Sequence, residues 1–340
     1  MSATNYPKLT LLVMVLLAVL PPLFYFTGQP FYLDLATRLT ILAIAAVSLN
    51  LILGYSGLVS FGHAAYIGLG AYAVGIPGYH AIYGGLESWG LASTSGWLHF
   101  PLAMLIGAIF ALITGIVCLR TKGVYFIMIT MAFAQMVYYA IVSIKTYGGD
   151  DGLTIDVRSE LPGVSLDDPL QLFGVSYAVL VAVMLLVRMM VNSRFGMVLR
   201  GAKGNNERMV MMGYNTYRYQ LTAYVISGAL AALSGALLGN FTTFISPEMM
   251  DWTRSGELMF MVILGGVATT VGPVLGAVAF ILIEEVLSTF TIYWQLPFGL
   301  LLMGVVLYSQ GGLANILGQW RARRALRDAS QGGAAQEHKS

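Results

Sequence analysis

Residues 172–192, LFGVSYAVLVAVMLLVRMMVN, form an apolar run whose only charged member is Arg188, and residues 194–218, RFGMVLRGAKGNNERMVMMGYNTYR, form a basic polar segment directly after it. A second long apolar run follows at 219–245. A helix of roughly 20 apolar residues is long enough to cross the hydrocarbon core of a bilayer, which is about 30 Å thick. We therefore predict two membrane spans joined by residues 194–218, called the polar island below. The island is longer than a plain connection requires, so we expect it to dock onto another surface.

The composition of the whole chain agrees with a membrane solvent. Of the 340 residues, 57% are hydrophobic and only 10% are charged, whereas soluble domains carry about 25% charged residues. The net charge is +2, and no basic patch with interleaved aromatic residues argues for nucleic-acid binding. Cys118 is the only cysteine, which excludes a disulfide framework and a cysteine metal cluster. The sequence predicts a polytopic membrane protein.

Apolar runs of spanning length recur along the chain. We predict ten candidate spans, at 9–27, 32–53, 58–84, 98–118, 123–144, 172–192, 219–245, 256–271, 273–290 and 296–312. Gly265-Gly266 and Gly272-Pro273 divide the region from 256 to 290 into two short halves, which form either two crossings or one re-entrant hairpin. The predicted fold class is an all-α integral membrane protein with about eight to ten transmembrane helices. Re-entrant or broken segments are expected near 55–64 and 265–273.

The first apolar run raises the question of a cleaved signal peptide. Lys8 and the run 11–20 would supply the charged and apolar regions of such a peptide. Pro21-Pro22 is followed by bulky residues that offer no small-residue cleavage site. We therefore expect the first span to be retained.

The distribution of lysine and arginine predicts the orientation, because these residues are enriched in cytoplasmic loops. Basic residues cluster on one side of the alternating spans, at Lys8, Arg120, Lys122, Arg188, Arg194, Arg200, Lys203, Arg208, Arg218, Arg321, Arg323, Arg324 and Arg327. The loop 146–171, on the other side, is acidic. We predict that residues 1–320 form the membrane domain, with the polar island and both termini cytoplasmic and 146–171 periplasmic. Residues 321–340 would be a basic, then disordered, cytoplasmic tail.

The polar island contains the signals of a short helix. Asn205 or Asn206 is a suitable N-cap, Glu207 falls in the first turn, where a carboxylate favours the helix dipole, and Gly213 is a suitable left-handed stop. The small apolar face of this helix consists of Met209, Val210 and Met212. Two interpretations remain open: a connector that rests on lipid headgroups, and a coupling helix that lies in a groove of a soluble partner.

Glycine is unusually dense between Tyr55 and Gly75. Such density indicates either close helix packing or an unwound segment that lines a cavity. The candidate residues of a translocation pathway are Ser56, Gly57, Ser60, Gly62, His63 and Gln135. If the segment is helical, Ser56, Ser60 and His63 share a face. His63 is either a hydrogen-bonded structural residue or a ligand of the transported solute.

Charged residues inside predicted spans are costly and therefore point to function by default. Glu284 and Glu285 are the clearest case, with a structural or interfacial role as the alternative. Asp34 and Arg38 stand at i and i+4 on the second span, where they could pair. No set of residues with metal-ligand spacing is present, since the aspartates of the segment 148–152 lack the alternation of a calcium loop. That segment is either a turn or part of a receiving surface.

Two further polar residues and one glycine pair suggest helix contacts. Asn50 and Gln135 are candidates for interhelical hydrogen bonds. Gly235 and Gly239 are four residues apart, as on a close-packing face.

Several blocks together resemble one family of transport proteins. The six-residue spacing from Glu207 to Gly213 is similar to the EAA loop of ABC-importer permeases. The blocks that look like the branched-chain amino acid permease family, LivM type, are NLILGYSGLVSFGHA (50–64), LRTKGVYF (119–126), GGDDGL (148–153), LGG (264–266) and GPVLGA (272–277). They cover about residues 40 to 315 in the family's order. The island departs from the family's pattern at Arg208 and Met209, where alanines usually follow the glutamate, and at 204–206, where charged residues are usual.

The resemblance implies an importer of the bacterial inner membrane. A periplasmic protein would deliver a branched-chain or other hydrophobic amino acid, a second, LivH-like permease subunit would complete a heterodimer, and two cytoplasmic ATPases would drive transport. The ATPase-coupling residues implied are Arg200, Asn206, Glu207, Met209 and Gly213. Other members of the family import urea or amides, which stays an alternative. A zwitterionic substrate would meet few charges in this chain, so recognition is expected mostly in the binding protein.

The residues themselves argue that the chain is not an enzyme. No phosphate loop GxxxxGK[ST] occurs, since none of the five lysines follows a glycine. ATP and Mg²⁺ would therefore belong to a partner subunit, and this chain is expected to bind no cofactor. An intramembrane enzyme lacks a convergent motif, because neither HExxH nor GxSxG is present. An ion-coupled secondary carrier remains the alternative from another class, with Glu284, Glu285, Asp34 and His63 as coupling groups.

Overall fold

The computed structural model describes residues 7–84, 94–161, 163–308 and 312–313, so the predicted tail 321–340 lies outside the described residues. The helices are α1 (Pro7–Phe26), α2 (Pro30–Asn50), α3 (His63–Tyr83), α4 (Gly96–Cys118), α5 (Val124–Ser143), α6 (Pro169–Asn192), α7 (Arg194–Gly204), α8 (Asn206–Met211), α9 (Thr216–Thr242), α10 (Trp252–Gly265), α11 (Gly272–Phe290) and α12 (Gln295–Tyr308). Four two-residue strands are β1 (Leu153–Thr154), β2 (Glu160–Leu161), β3 (Val164–Ser165) and β4 (Phe244–Ile245).

The predicted all-α membrane fold is confirmed. Each of the ten predicted spans overlaps one helix in the described residues. Within the described ranges, six helical segments are long and apolar enough to cross a membrane: Pro30–Ser56, Gly96–Cys118, Val124–Ser143, Pro169–Asn192, Thr216–Thr242 and Gly272–Phe290. Shorter apolar helices occupy Leu11–Phe26 and Gln295–Val305.

The chain breaks after α2, as expected near 55–64. A π-helical turn, Leu51–Ser56, extends α2 and ends at Gly57, whose φ of 74° is left-handed. Residues 57–62 are not helical, and α3 begins at His63. The condition under which Ser56, Ser60 and His63 would share one helical face is therefore not met, because the left-handed glycine interrupts the helix between them.

A second break separates α10 from α11, as expected near 265–273. Gly266 has φ 123° and Ala268 has φ 62°, both in the left-handed region. Helix α10 has 14 residues and is about 21 Å long at 1.5 Å per residue. That length is less than the roughly 30 Å hydrocarbon core, so α10 by itself does not cross it.

Helix α9 lies at the centre of the bundle against α2, α3 and α4. Its contact with α3 is close, since a Cβ added at Gly235 would lie 1.8 Å from the carbonyl oxygen of Ile67. A Cβ added at Gly70 would likewise lie 1.9 Å from the carbonyl oxygen of Ala232. The two interpretations of the glycine-rich stretch thus apply to different parts of it: residues 57–62 are unwound, and Gly70 permits close packing.

The two ends of the bundle differ in structure. The polar island contacts the break after α2 at one end, called the island end below. At the opposite end, β1 pairs antiparallel with β4, with Leu153 opposite Ile245. The Oδ1 atom of Asn240, on α9, accepts a hydrogen bond of 2.8 Å from the backbone N–H of Ser159. The loop 146–171 is thereby attached to the last turn of α9.

Candidate coupling surface and charged cavity

The polar island folds into two helices rather than one. Helix α7 was not predicted, although its sequence carries a helical signal. Its buried residues Val198, Leu199 and Ala202 recur at spacings of one and three, which places them on one face. Gly196 is buried as well, and a Cβ there would overlap the carbonyl group of Val191. Helix α7 therefore packs tightly against the end of α6.

Helix α8 begins and ends where the sequence indicates. The Oδ1 atom of Asn205 accepts a hydrogen bond of 2.9 Å from the N–H of Arg208, which makes Asn205 the N-cap. Glu207 is exposed in the first turn. Gly213 adopts φ +87° and its N–H donates to the carbonyl of Val210 at 2.9 Å. The expected cap and the expected glycine stop are both confirmed.

The methionines of α8 point in different directions. Met209 is only 9% exposed and packs on Gly201, where an added Cβ would lie 2.6 Å from the sulfur. Met211 is 87% exposed, and Val210 and Met212 are exposed as well. Met209 is therefore not part of the outward apolar face, because it attaches α8 to α7. Met211, which the sequence did not single out, belongs to the outward apolar face of α8 instead.

The predicted coupling residues Arg200 and Asn206 lie within the polar island. Arg200 donates hydrogen bonds of 3.2 Å to the carbonyl oxygens of Gly196 and Val191. It thereby satisfies carbonyls where α6 ends and α7 begins. Asn206 is partly buried, and among the described residues its Oδ1 atom has no hydrogen-bond partner.

Lys203, which sequence reasoning missed, connects the island to the break after α2. Its Nζ atom donates a hydrogen bond of 2.7 Å to the carbonyl oxygen of Gly54. Its alkyl stem packs under Gly57, where an added Cβ would lie 2.9 Å from Cγ. Partial desolvation lowers the pKa of Lys203 below its usual 10.5, although the residue as a whole stays exposed. Helix α7 thus touches the same unwound backbone that carries the predicted pathway residues.

The polar atoms of the pathway candidates at the break are satisfied by the protein itself only in part. The Oγ atom of Ser60 accepts from the N–H of Gly62 at 3.2 Å. His63 is fully buried, and its Nε2 atom lies 2.9 Å from the Oγ of Ser227 on α9. In the described part of the chain, the Oγ of Ser56 and the Nδ1 of His63 have no partner. The hydrogen bond to Ser227 supports the structural alternative for His63.

Gln135, the remaining pathway candidate, lies in a different contact. Its Nε2 atom donates a hydrogen bond of 2.7 Å to Oδ1 of Asp251, the N-cap residue of α10. Burial raises the pKa of Asp251, but hydrogen bonds from Thr253 and Gln135 outweigh it and hold the pKa below 3.8. Gln135 therefore joins α5 to the start of α10, as expected of an interhelical hydrogen-bond partner.

Asn50 holds the second break. Its Nδ2 atom donates to the carbonyl oxygen of Thr269 at 2.9 Å, and its Oδ1 accepts from the N–H of Ala268 at 3.0 Å. Ala268 has a left-handed φ that is unfavourable for alanine, so the buried amide compensates the strained turn. Asn50 thus joins the end of α2, before the first break, to the backbone of the second break.

The predicted pairing of Arg38 is wrong. Its Nη2 atom lies 2.9 Å from Oε1 of Glu284 on α11, whereas Asp34 is exposed and forms no ion pair within the described ranges. Glu285, the neighbour of Glu284, forms none there either. The contact between α2 and α11 brings the partly buried groups of Arg38 and Glu284 together. Asp34 is exposed, so a pair with Arg38 on the same helix would be weaker.

A second ion-pair group lies next to the first. Arg254 of α10 contacts Glu257 at 3.1 Å and Glu248 at 3.0 Å. Arg38, Arg254 and Glu257 line one cavity of about 210 Å³. The chain as a whole has few charges that a zwitterion could meet, as expected from its composition. In this cavity, however, the fold brings several charged side chains together.

The family model described as branched-chain amino acid transport system, permease component, matches residues 31–309. The chain belongs to this family. The permease is 26% identical to the high-affinity branched-chain amino acid transport system permease protein LivM of Salmonella typhimurium and 25% identical to that of Escherichia coli. Each match covers 92% of this chain and 76% of the relative. The probable branched-chain amino acid transport permease protein LivM of Methanocaldococcus jannaschii is 24% identical, over 79% of this chain and 89% of its own. No solved structure matches.

In this permease the exposed surface of α8 is connected to the two breaks in the chain, and the charged cavity lies apart from both. The exposed surface of α8 is supported by α7, and Lys203 carries that support to the break after α2. Asn50 continues the contact to the break between α10 and α11. The charged cavity lies between α2 and α10, toward the opposite end of the bundle.

Proposed function

We propose that the chain is the membrane-spanning permease subunit of an ATP-driven importer for branched-chain and related hydrophobic amino acids. The solute is delivered by a periplasmic binding protein, a second, LivH-like permease subunit completes the pathway, and two cytoplasmic ATPase subunits supply the energy. Family membership supports the transport class and the substrate class. The observation that carries the mechanism is the hydrogen bond between Lys203 and Gly54.

In this proposal the ATPase binds the exposed surface of α8. Val210, Met211 and Met212 supply adaptable apolar contacts, and Glu207 supplies a charge at the helix start. A six-residue helix is too short to be stable alone, so its Asn205 cap and its packing on α7 hold it ready for docking. A displacement of α8 then moves α7, and Lys203 transmits the movement to the π-helical turn at Gly54 and to the unwound backbone that begins at Gly57.

The proposed orientation places the polar island and both termini in the cytoplasm of a bacterial cell, within the inner membrane. The excess of arginine and lysine in the island and the acidic loop 146–171 support this orientation. The strands and hydrogen bonds that attach that loop to α9 give the periplasmic side a firm surface for a binding protein.

The test is uptake of L-leucine into liposomes that contain the complete complex, with binding protein outside and ATP inside. Glu207→Arg and Gly213→Pro are expected to abolish uptake while leaving membrane insertion intact. Reversing the charge opposes the helix dipole and the docking contact, and proline cannot adopt the φ of +87° at Gly213.

Matched controls separate these effects from general damage. Glu207→Asp keeps the first-turn carboxylate, and Gly213→Asn keeps a residue that tolerates the left-handed region, so both should retain uptake. Unchanged uptake in Glu207→Arg or Gly213→Pro would remove the coupling role from α8. Leucine uptake driven by an ion gradient without the ATPase subunits would overturn the importer and favour a secondary carrier. ATP-driven uptake of urea or amides, without leucine uptake, would retain the importer and change its substrate class.

A further inference from the structure

The charged cavity is formed by four helices, α2, α3, α9 and α10, and combines charged and apolar walls. Arg38 comes from α2, and Arg254 and Glu257 come from α10. The apolar part of the lining consists of Leu42, Ile67, Leu238, Met249, Leu258 and Met261. At about 210 Å³, the space suits a small molecule with one charged end and one apolar end.

The position of the charges in their helices excludes a lipid environment for this face. Arg38 lies eight residues after the start of α2, about 12 Å along the helix, and Glu284 lies six residues before the end of α11, about 9 Å along it. Their side chains are 37% and 17% exposed. A charge that faces hydrocarbon is costly, and intramembrane charges therefore face a bundle interior or a water-filled cavity. The exposed part of this pair accordingly faces the interior of a helix bundle or a water-filled cavity.

The ion pairs leave hydrogen-bonding capacity at the cavity. Arg38 uses its Nη2 atom on Glu284, and in the described part of the chain its Nε and Nη1 atoms have no acceptor. The carboxylate of Glu257 receives hydrogen bonds from one side chain there, Arg254, and lies near enough to Arg38 and Glu284 for electrostatic interaction. A carboxylate has about four acceptor positions, so Glu257 can accept from a further cation.

We propose that this cavity is a binding site for the zwitterionic head group of an amino acid, on the opposite-end half of the transport path. The substrate carboxylate binds the free guanidinium edge of Arg38, the substrate ammonium group binds Glu257, and the apolar side chain lies on the leucines and Met261. Glu284 is a positioning residue, because it holds the guanidinium of Arg38 from behind. The inference rests on the proposed function and adds to it a recognition site within the permease itself.

The experiment measures binding of radiolabelled L-leucine to the complete permease–ATPase complex in lipid nanodiscs, without binding protein. Two competitors each lack one charge: 4-methylpentanoate has no ammonium group, and 3-methylbutylamine has no carboxylate. The wild-type complex is expected to prefer leucine to either competitor by roughly tenfold or more, as expected for hydrogen bonds between charged groups.

The variants assign each charge to its partner. Glu257→Gln should remove the preference over 4-methylpentanoate, and the double variant Arg38→Gln, Glu284→Gln should remove the preference over the amine. Glu285→Gln is the matched control, since this neighbouring carboxylate has no ion-pair partner among the described residues. If a variant fails to assemble, Glu257→Asp and Arg38→Lys keep the charge and are expected to change affinity while preserving the direction of the preference.

The outcomes separate this site from the proposed function, since ATP-driven uptake with binding protein is measured on the same preparations. Uptake by the wild type together with no leucine binding, or with a preference unchanged in Glu257→Gln and in the double variant, overturns the site and leaves the importer standing. A uniform loss of affinity for leucine and both competitors also overturns it, because a purely structural ion pair would give that result. Absence of ATP-driven uptake in the wild type overturns the proposed function.

Discussion

Replacing Gly235 by alanine should separate α9 from α3, whereas the same change at Gly239 should not. An added Cβ at Gly235 would lie 1.8 Å from the carbonyl oxygen of Ile67, and ordinary contact begins at 3.4 Å. The two backbones must therefore move apart by about 1.6 Å, the difference of these distances. An added Cβ at Gly239 would lie 3.5 Å from Ala71, in ordinary contact. Since both positions lie on one helix, the pair isolates packing from other effects.

The magnitude follows from the displacement. A radial gap of roughly 0.5–1 Å already forfeits a quarter to a half of a dispersion contact, and overpacking typically costs about 1–3 kcal/mol. A shift of about 1.6 Å places Gly235→Ala at the upper end of that range. Alanine favours a helix over glycine by roughly 0.5–1 kcal/mol. This gain is the same at positions 235 and 239, and at Gly239 it offsets any small packing cost.

The measurement is the temperature at which half of the purified complex loses its monodisperse elution in detergent. We expect Gly235→Ala to lower this midpoint by about 5 °C or more, using roughly 2 °C per kcal/mol for a large chain. Gly239→Ala should stay within about 2 °C of the wild type. Equal midpoints for the two variants, whether both fall or neither does, would refute the assignment of the close approach to Gly235.

Two further predictions concern the ends of the bundle. Lys203→Met keeps the alkyl stem but removes the donor to Gly54, so ATP-driven uptake should fall about threefold to tenfold while assembly is unchanged. The control Lys122→Met, at an exposed lysine, should leave uptake unaltered. Equal uptake rates in both variants would contradict the coupling path. Because the folded pKa of Asp251 is lowered, its contribution to stability is fully present above pH 3.8 and is lost as pH falls through the folded value. The thermal midpoint should therefore drop on acidification below about pH 4, and Asp251→Asn should reduce that drop; an identical acid profile in the variant would contradict the assignment.

The sequence predicts the helices well because lipid imposes a simple requirement on them. A span needs one continuous apolar run, and the fourth span, expected at 98–118, begins only two residues earlier in the structure, at Gly96. The breaks were also predictable, since Gly57 and Gly266 adopt left-handed φ values that other residues rarely accept.

The contacts between helices could not be predicted from local pattern. The partner of Arg38 is 246 residues away in the chain, and the choice of Glu284 over Asp34 depends on how α2 and α11 are rotated about their axes. The same holds for Met209, whose inward direction is set by the space above Gly201. Helix α7 was missed for a different reason, because its polar composition obscured a short apolar face.

The separation between Arg38 and Glu284 has a consequence for how the protein is made. Chains are synthesised at roughly 5–20 residues per second, so about 12 to 50 s pass before the carboxylate that neutralises Arg38 exists. An arginine costs roughly 2.5–3.5 kcal/mol at the centre of a span on insertion scales, which is an upper bound for Arg38 in the first half of α2. During that interval α2 carries an uncompensated charge, and release into free lipid would be unfavourable. The ion pair therefore forms only after α11 has been made, and until then α2 carries its arginine without the partner that the folded protein provides.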